Sequence, residues 1–245
     1  MEEPDKIRIR GLNDKDDKAF SPFWVERIRK AQVELQFLLD RGYPAKSAAT
    51  FICNHHQLSV RQMLALTRTT SSTKHLAIRA EKSLDANDMR GQTMHIDGLN
   101  LIITLEVALS DGMLFVGQDG CIRDLAELRG TYRVIPQTET AIGMIRDTLE
   151  KLQVSEVSFY LDAPVSNSGR LKTKIYDIEW HIPVNVNIVR NPDTNLKKLS
   201  HVVSGDSIIL DECISWFNLV AYIFRDSMEF KHLNRLIELN TGNSQ

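Results

Sequence analysis

From Thr93 onward the sequence alternates strand-like and helix-like segments, and this alternation restricts the fold more than any other feature. The strand-like segments are, in chain order, TMHID, MLFVG, EVSFYLD, VNVNIV and HVVSG. Within EVSFYLD the apolar residues Val157, Phe159 and Leu161 fall on one side, as in a strand of period two. The alternation predicts an α/β fold whose parallel-type sheet is covered by helices on both faces.

The helical segments between and after these strands have apolar stripes at helical spacing. The expected helices are 99–109, one that begins at Thr138, 169–181, one around 213–224 and one over 228–239. The stretches QDGCIRD and LRGTYR show neither period and are expected to be irregular.

The first ninety residues contain only helix signals. Ser21 followed by Pro22 predicts a helix start, and Gly42 predicts its end. A second helix is expected over 45–54. Ser59 forms a capping-box pattern with the glutamine three residues later, which predicts a third helix. The string TRTTSSTK reads as a linker, and a further short helix is expected around 76–84.

The second and third helices together resemble a helix-turn-helix, in which Arg61 and Arg68 would face nucleic acid. Residues 41–80 contain six Lys or Arg side chains and no Asp or Glu, so a basic face that meets phosphates is expected here. A solvated basic surface that binds nothing is the alternative.

Charge and pattern divide the chain into a charged N-terminal tail (1–20), a basic helical domain (21–90) and an α/β domain (91–245). Up to residue 90 there are 16 Lys or Arg against 12 Asp or Glu, whereas the remainder has 14 against 20. The first residues lack an apolar core segment and no apolar run reaches the roughly 18 residues of a spanning helix, so neither secretion nor a membrane partner is expected. The three cysteines are widely spaced, which favours buried thiols and a cytoplasmic location.

Three of the predicted strands end in, or just before, an aspartate: Asp97, Asp162 and Asp206. The carboxyl ends of parallel strands meet along one edge of a sheet, where ligands bind. Gathered carboxylates repel one another unless a cation intervenes, and their oxygens suit Mg²⁺ or Mn²⁺. The pattern therefore predicts a metal site, although each aspartate alone could also cap a helix or a turn.

The segments IDGLNLI, FYLDAPVS and VVSGDS resemble those of the PIN-like and NYN nuclease superfamily, over about residues 93–224. That resemblance implies RNA cleavage with divalent metal held by Asp97, Asp162 and Asp206, with Asn100 beside them. It also suggests Asp193, as an acid between the last two strands, although this match is loose. The helical half together with this domain resembles an uncharacterised bacterial and archaeal family.

Other side chains stand near these motifs in sequence. Further acids that could join the site are Asp211, and Asp119 and Asp124 of QDGCIRD, with a turn as the alternative for Asp119. After Asp162, Ser166, Ser168 and Arg170 begin a helix and could hold phosphate, or Ser168 could simply cap that helix.

Together these patterns favour a divalent-metal-dependent nuclease, with RNA as the favoured substrate. The basic helices would bind the nucleic acid. A non-catalytic nucleic-acid-binding or regulatory protein with a degenerate PIN-like domain is the first alternative. A phosphatase or nucleotide hydrolase acting on small molecules is the second, because it would use the same carboxylates.

Overall fold

The computed structural model describes residues 10–11, 13–127, 130–227, 230 and 235–240. Its N-terminal helices are α1 (Asp16–Ala19), α2 (Pro22–Asp40), α3 (Ala45–His55), α4 (Val60–Thr69) and α5 (Thr73–Lys82), followed by a 3-10 helix (Ala86–Met89). The capping box at the start of α4 is confirmed: Ser59 Oγ accepts from Gln62 N, and Gln62 Oε1 accepts from Ser59 N. The expected linker is shorter than its sequence suggests, since α5 already begins at Thr73.

The α/β region contains seven strands and six helices among the described residues. They are β1 (Thr93–Asp97), α6 (Gly98–Leu109), β2 (Leu114–Val116), β3 (Ile122–Asp124), α7 (Gln137–Lys151), β4 (Glu156–Asp162), α8 (Ser168–Asp177), β5 (Val184–Val189), α9 (Pro192–Leu196), β6 (Val202–Val203), α10 (Ser207–Glu212), α11 (Leu219–Asp226) and β7 (Leu236–Glu238).

Four strands form a parallel sheet in the order β5-β4-β1-β6, flanked by helices, so the predicted α/β fold class is confirmed. Ile96 and Phe159, which pair across β1 and β4, are fully buried in the main core. Helix α6 is buried along nearly its whole length and contacts strands of both sheets of the fold, because its sequence is apolar on every face.

A second sheet has the order β3-β2-β7, with β3 antiparallel and β7 parallel to β2. Two expectations are corrected here. Residues 236–238 of the expected last helix form β7, because strand β2 offers an edge with which they pair; residues 228–229 and 231–234 lie outside the described part. QDGCIRD, expected to be irregular, contains β3.

The expected helix over 213–224 is also corrected, since α10 ends at Glu212 and α11 begins only at Leu219. The chain between them is extended enough for Trp216 to form bridges to Val202 of β6 and to Ser83. Backbone hydrogen bonds to these two neighbours replace the bonds that a continuous helix would have made.

The N-terminal helices share a core with the second sheet. Ile28 and Leu66 of the helices are buried in one cluster with Phe115 of β2 and Leu239. The rings of Phe20 and Phe115 lie 4.8 Å apart, edge to face. No helix in the described ranges is both long and apolar enough to cross a membrane, and the three cysteines are buried free thiols.

Candidate active site

The strand order brings the three strand-end aspartates to one edge of the parallel sheet. Asp97 ends β1, Asp162 ends the neighbouring β4, and Asp206 follows β6 on the other side of β1. Asp97 pairs with Tyr160, so Asp162 lies two residues further along its strand and on the same face. Ideal strand spacings then put the Cα atoms of Asp97 and Asp162 about 8 Å apart.

Asp97 stands at the junction of β1 and α6, where the chain turns directly from strand to helix. Glycine at position 98 allows α6 to begin this close to β4, because a Cβ there would lie 2.6 Å from a methyl of Leu161. Burial raises the pKa of Asp97 to about 7; the charges of Asp206 and Asp193 add to the rise, while a hydrogen bond from Ser204 opposes it. Asp97 is therefore half protonated near neutral pH when no cation is bound.

The loop after β6 is fixed to this edge by side-chain hydrogen bonds. Ser204 Oγ donates to Asp97 Oδ2 at 2.9 Å and accepts from Asp206 N at 3.0 Å. Asn100 Oδ1 accepts from Gly205 N at 2.7 Å, which leaves the Asn100 NH₂ group as the part that can contact a ligand. Asp206 Oδ1 accepts from Ile208 N at 2.7 Å, so one oxygen of Asp206 caps α10.

Asp193, the loosest match in sequence, lies in the first turn of α9 and belongs to the same electrostatic cluster. Burial raises the pKa of Asp193 and of Asp162, and a neighbouring carboxylate adds to each rise: Asp206 in the first case, Asp193 in the second. Asp162 Oδ1 is buried and has no hydrogen-bond partner among the described residues. A buried carboxylate oxygen without a hydrogen-bond partner destabilises the folded state, so a cation bound to this oxygen would be stabilising.

The aspartates are spread along the edge and do not meet at one point. Among the described residues, three ligand atoms within 4.8 Å of one another occur at Glu34, His55 and His56, and not at this edge. The two-residue offset of Asp162 along β4 contributes to the spread.

Asp119 and Asp211 lie elsewhere, in a buried ion-pair network. Asp119 bonds Arg79 at 2.7 Å and Arg123 at 2.6 Å, and Asp211 bonds Arg79 at 2.6 Å. Burial alone would raise the pKa of Asp119, but Arg123 and Arg79 outweigh it and lower that pKa to about 2. Arg123 also donates to the carbonyl of Gly205 at 2.7 Å, so the network supports the loop of the site without joining it.

Asp124 and Arg68 line a cavity of about 370 Å³ beside the aspartate edge, together with Asn100 and Asp206. Asp124 is buried; its Oδ2 accepts from Thr104 Oγ1 at 2.8 Å. Arg68 Nη1 donates to the carbonyl of Asp124 at 2.5 Å and keeps about a third of its side chain exposed. The wall of the cavity thus includes both a cationic side chain from the helical region and a carboxylate of the acidic edge.

Arg61, expected on a nucleic-acid-binding face, points inward. All three of its guanidinium nitrogens are bonded, to the Asp16 carboxylate and to the carbonyls of Gly11 and Leu125. The recognition-helix expectation is corrected for this residue, because α4 packs its basic side against the second sheet and the N-terminal segment.

In the loop after β4, Ser168 is buried and its hydroxyl contacts the carbonyls of Asp162 and Val165 at 2.7 and 2.8 Å. Neither role expected for Ser168 is seen, because the N-cap of α8 is Asn167, without a side-chain cap hydrogen bond, and the Ser168 hydroxyl proton is already used in the loop. Ser166 and Arg170, which follow Asp162 in the chain, are exposed and remain accessible to an anion.

Sequence reasoning missed Ser204 and Arg123, which hold the site together. Ser204 had a signal, since it is the first polar residue after β6. Arg123 had none, because a four-residue spacing brings side chains together on a helix, whereas Asp119 lies in a turn and Arg123 in β3. Their partners, however, include residues about a hundred positions away in sequence.

Comparisons with known proteins place the chain in a family. A family model described as "Domain of unknown function (DUF5616)" matches residues 86–222, and one described as "Protein of unknown function (DUF434)" matches residues 27–82. The chain is also 33% identical over 185 residues to "Uncharacterized protein MJ0935" of Methanocaldococcus jannaschii, which covers 75% of this chain and 88% of that protein. No solved structure matches. Because the first model covers more than half of its length, the chain belongs to the DUF5616 family.

Proposed function

We propose that this DUF5616 member is a divalent-metal-dependent nuclease, with RNA as the favoured substrate. The observation that carries the proposal is the alignment of Asp162, Asp97 and Asp206 at the ends of three adjacent strands. A buried oxygen of Asp162 also has no hydrogen-bond partner within the described part of the chain. Such an edge is where ligands bind in open parallel sheets.

The side chains at this edge fit a hard divalent cation. Carboxylate oxygens are the ligands that Mg²⁺ and Mn²⁺ prefer. Burial raises the pKa values of Asp97, Asp162 and Asp193, and neighbouring carboxylates add to each rise, so a cation at this edge would favour their charged forms. Asp97, Asp162 and Asp206 would hold the ion, with Asp193 as a further ligand. When bound, such an ion lowers the pKa of water and neutralises charge on a phosphate under attack.

The remaining groups of the site position the substrate. Ser204 and the Gly205 backbone hold Asp97 and Asn100 in fixed orientations, and the Asn100 NH₂ group can donate to a phosphate oxygen or to water. The neighbouring cavity of about 370 Å³ has room for part of a nucleotide, and Arg68 on its wall can pair with a phosphate. Arg170 and Ser166 offer a second anion contact on the Asp162 side.

A non-catalytic nucleic-acid-binding role is the alternative, and the spread of the aspartates favours it. If the carboxylates cannot approach one another when cations are present, the edge would bind ions weakly and the protein would act through binding alone. A small-molecule phosphatase would use the same edge and would not need the basic helices.

The test is cleavage of labelled single-stranded and structured RNA and DNA by the full-length protein with Mn²⁺ or Mg²⁺. Asp97→Asn removes one proposed ligand, and Asp177→Asn is the matched control, because Asp177 is an exposed aspartate at the far end of α8. We expect metal-dependent RNA cleavage that is stopped by EDTA, is at least about 100-fold slower in Asp97→Asn and is unchanged in the control.

Three other outcomes would contradict the proposal. Cleavage that persists in Asp97→Asn would exclude this edge as the active site. Nucleic-acid binding without cleavage, retained by Asp97→Asn, would identify a binding module. Hydrolysis of small phosphate esters without nucleic-acid cleavage would identify a phosphatase.

A further inference from the structure

Two histidines at the end of α3 meet a glutamate of the adjacent helix α2. One ligand atom each of Glu34, His55 and His56 lies within 4.8 Å of the other two. His56 Nε2 is 2.8 Å from Glu34 Oε2, and the two imidazole rings lie 5.0 Å apart at 89°. We propose that these three side chains form a binding site for a transition-metal ion such as Zn²⁺, separate from the aspartate edge.

The arrangement of the three side chains departs from ordinary helix geometry. Consecutive residues of a helix point in directions about 100° apart and do not normally share a partner. Here α3 ends at His55 and His56 is its C-cap, so the two rings can turn toward the same carboxylate. A simple ion pair with Glu34 would need one histidine.

The chemistry of the three ligands selects the ion. Two imidazole nitrogens and one carboxylate oxygen are a known three-ligand set for Zn²⁺, which leaves a fourth position for water or another ligand. The aspartate edge offers oxygen atoms alone and favours harder ions. Cys53 of the same helix is not part of the set, because its thiol is buried in the core and burial raises its pKa.

The distances require a small adjustment. Bonds of about 2.0–2.2 Å in a tetrahedral site put ligand atoms about 3.3 Å apart, so no gap between ligand atoms that lie within 4.8 Å of one another must close by more than about 1.5 Å. Glu34 and His55 are exposed and can change rotamer, whereas buried His56 provides a fixed point.

The experiment is a calorimetric titration of the EDTA-treated, buffer-exchanged full-length protein with Zn²⁺, in the presence of excess Mg²⁺. A parallel titration with Co²⁺ reports coordination through its visible absorption. Glu34→Gln and His55→Ala each remove one exposed ligand. His181→Ala is the matched control, because exposed His181 lies 3.1 Å from Glu150 and, in the part of the chain that the structure describes, belongs to no group of three metal-ligating side chains.

We expect one Zn²⁺ to bind per chain. Loss of an outer-shell partner lowers metal affinity by roughly 10–100-fold, so loss of a direct ligand in Glu34→Gln or His55→Ala should lower it by more than that. His181→Ala should bind Zn²⁺ as tightly as the wild type. Co²⁺ should give the intense visible bands of a four-coordinate site in the wild type and lose them in the same two variants. Binding that is unchanged by both substitutions would overturn the proposal. Asp97→Asn is titrated in the same way, and binding that is lost in it alone would place the ion at the aspartate edge and would overturn the proposal equally.

Discussion

Replacing Asp97 by asparagine should stabilise the metal-free protein at neutral and alkaline pH. Burial raises the pKa of Asp97 from 3.8 to about 7, so the folded state holds this proton more tightly than the unfolded chain does. The stability that comes from holding the proton is fully present below about pH 4 and is lost as pH rises through about 7. Asparagine is neutral throughout and does not show this loss.

The size of the effect follows from the pKa change. At about 1.4 kcal/mol per pH unit, a rise from 3.8 to about 7 corresponds to about 4 kcal/mol by pH 8. This value is a ceiling, because side-chain movement and water entry lessen the penalty of a buried charge. At pH 5 the difference between Asp97→Asn and the wild type should be less than half as large.

Urea unfolding of the wild type, Asp97→Asn and the control Asp177→Asn, in EDTA at pH 5 and pH 8, measures the difference. Adding Mn²⁺ should then raise the stability of the wild type more than that of Asp97→Asn, since an ion that binds the folded state stabilises it. An Asp97→Asn variant that is no more stable than the wild type at pH 8 in EDTA would refute the reasoning. A stability difference that does not change with pH would refute it as well.

Other substitutions test the fold around the site. Arg123→Met should destabilise the protein by about 3–5 kcal/mol in urea unfolding, because it removes one of the two cations that face buried Asp119. Phe159→Ala should cost about 3–5 kcal/mol by leaving a cavity in the main core, measured by the same unfolding assay. Ser59→Ala should cost about 1 kcal/mol through loss of the capping box, seen as a lower thermal midpoint with unchanged helix content by circular dichroism. A fragment that starts after residue 90 exposes the cluster around Phe115 and should elute as aggregate in size-exclusion chromatography, whereas a folded monomer would contradict the shared core.

Much of the architecture could be predicted from local pattern. The strands 93–97 and 156–162 were predicted with the bounds that the structure has, because alternation and a terminal aspartate are encoded within a few residues. The start of α4 was predicted for the same reason, since a capping box needs residues only three positions apart. The chain order of strands and helices then sufficed to predict a parallel sheet with aspartates on one edge.

The acidic residues of the candidate site could be predicted from the sequence, whereas the side chains that surround them could not. Asp97, Asp162 and Asp206 follow from strand ends, but the roles of Asp119 and Arg61 depend on which distant side chain each one meets. Asp119 faces two arginines and Arg61 faces Asp16, pairings that span between 4 and 45 residues. The same holds for the group of Glu34, His55 and His56, whose members come from two packed helices.

Sequence alone thus determined the elements with a local period, the capping signals and the edge at which the acids gather. Tertiary structure alone decided that residues 236–238 are a strand, that Arg61 is internal and that Arg68 reaches the cavity beside Asp206. The physical reason is that helix and strand periods are set by neighbouring residues, whereas edge pairing and ion pairing depend on groups that only packing brings together.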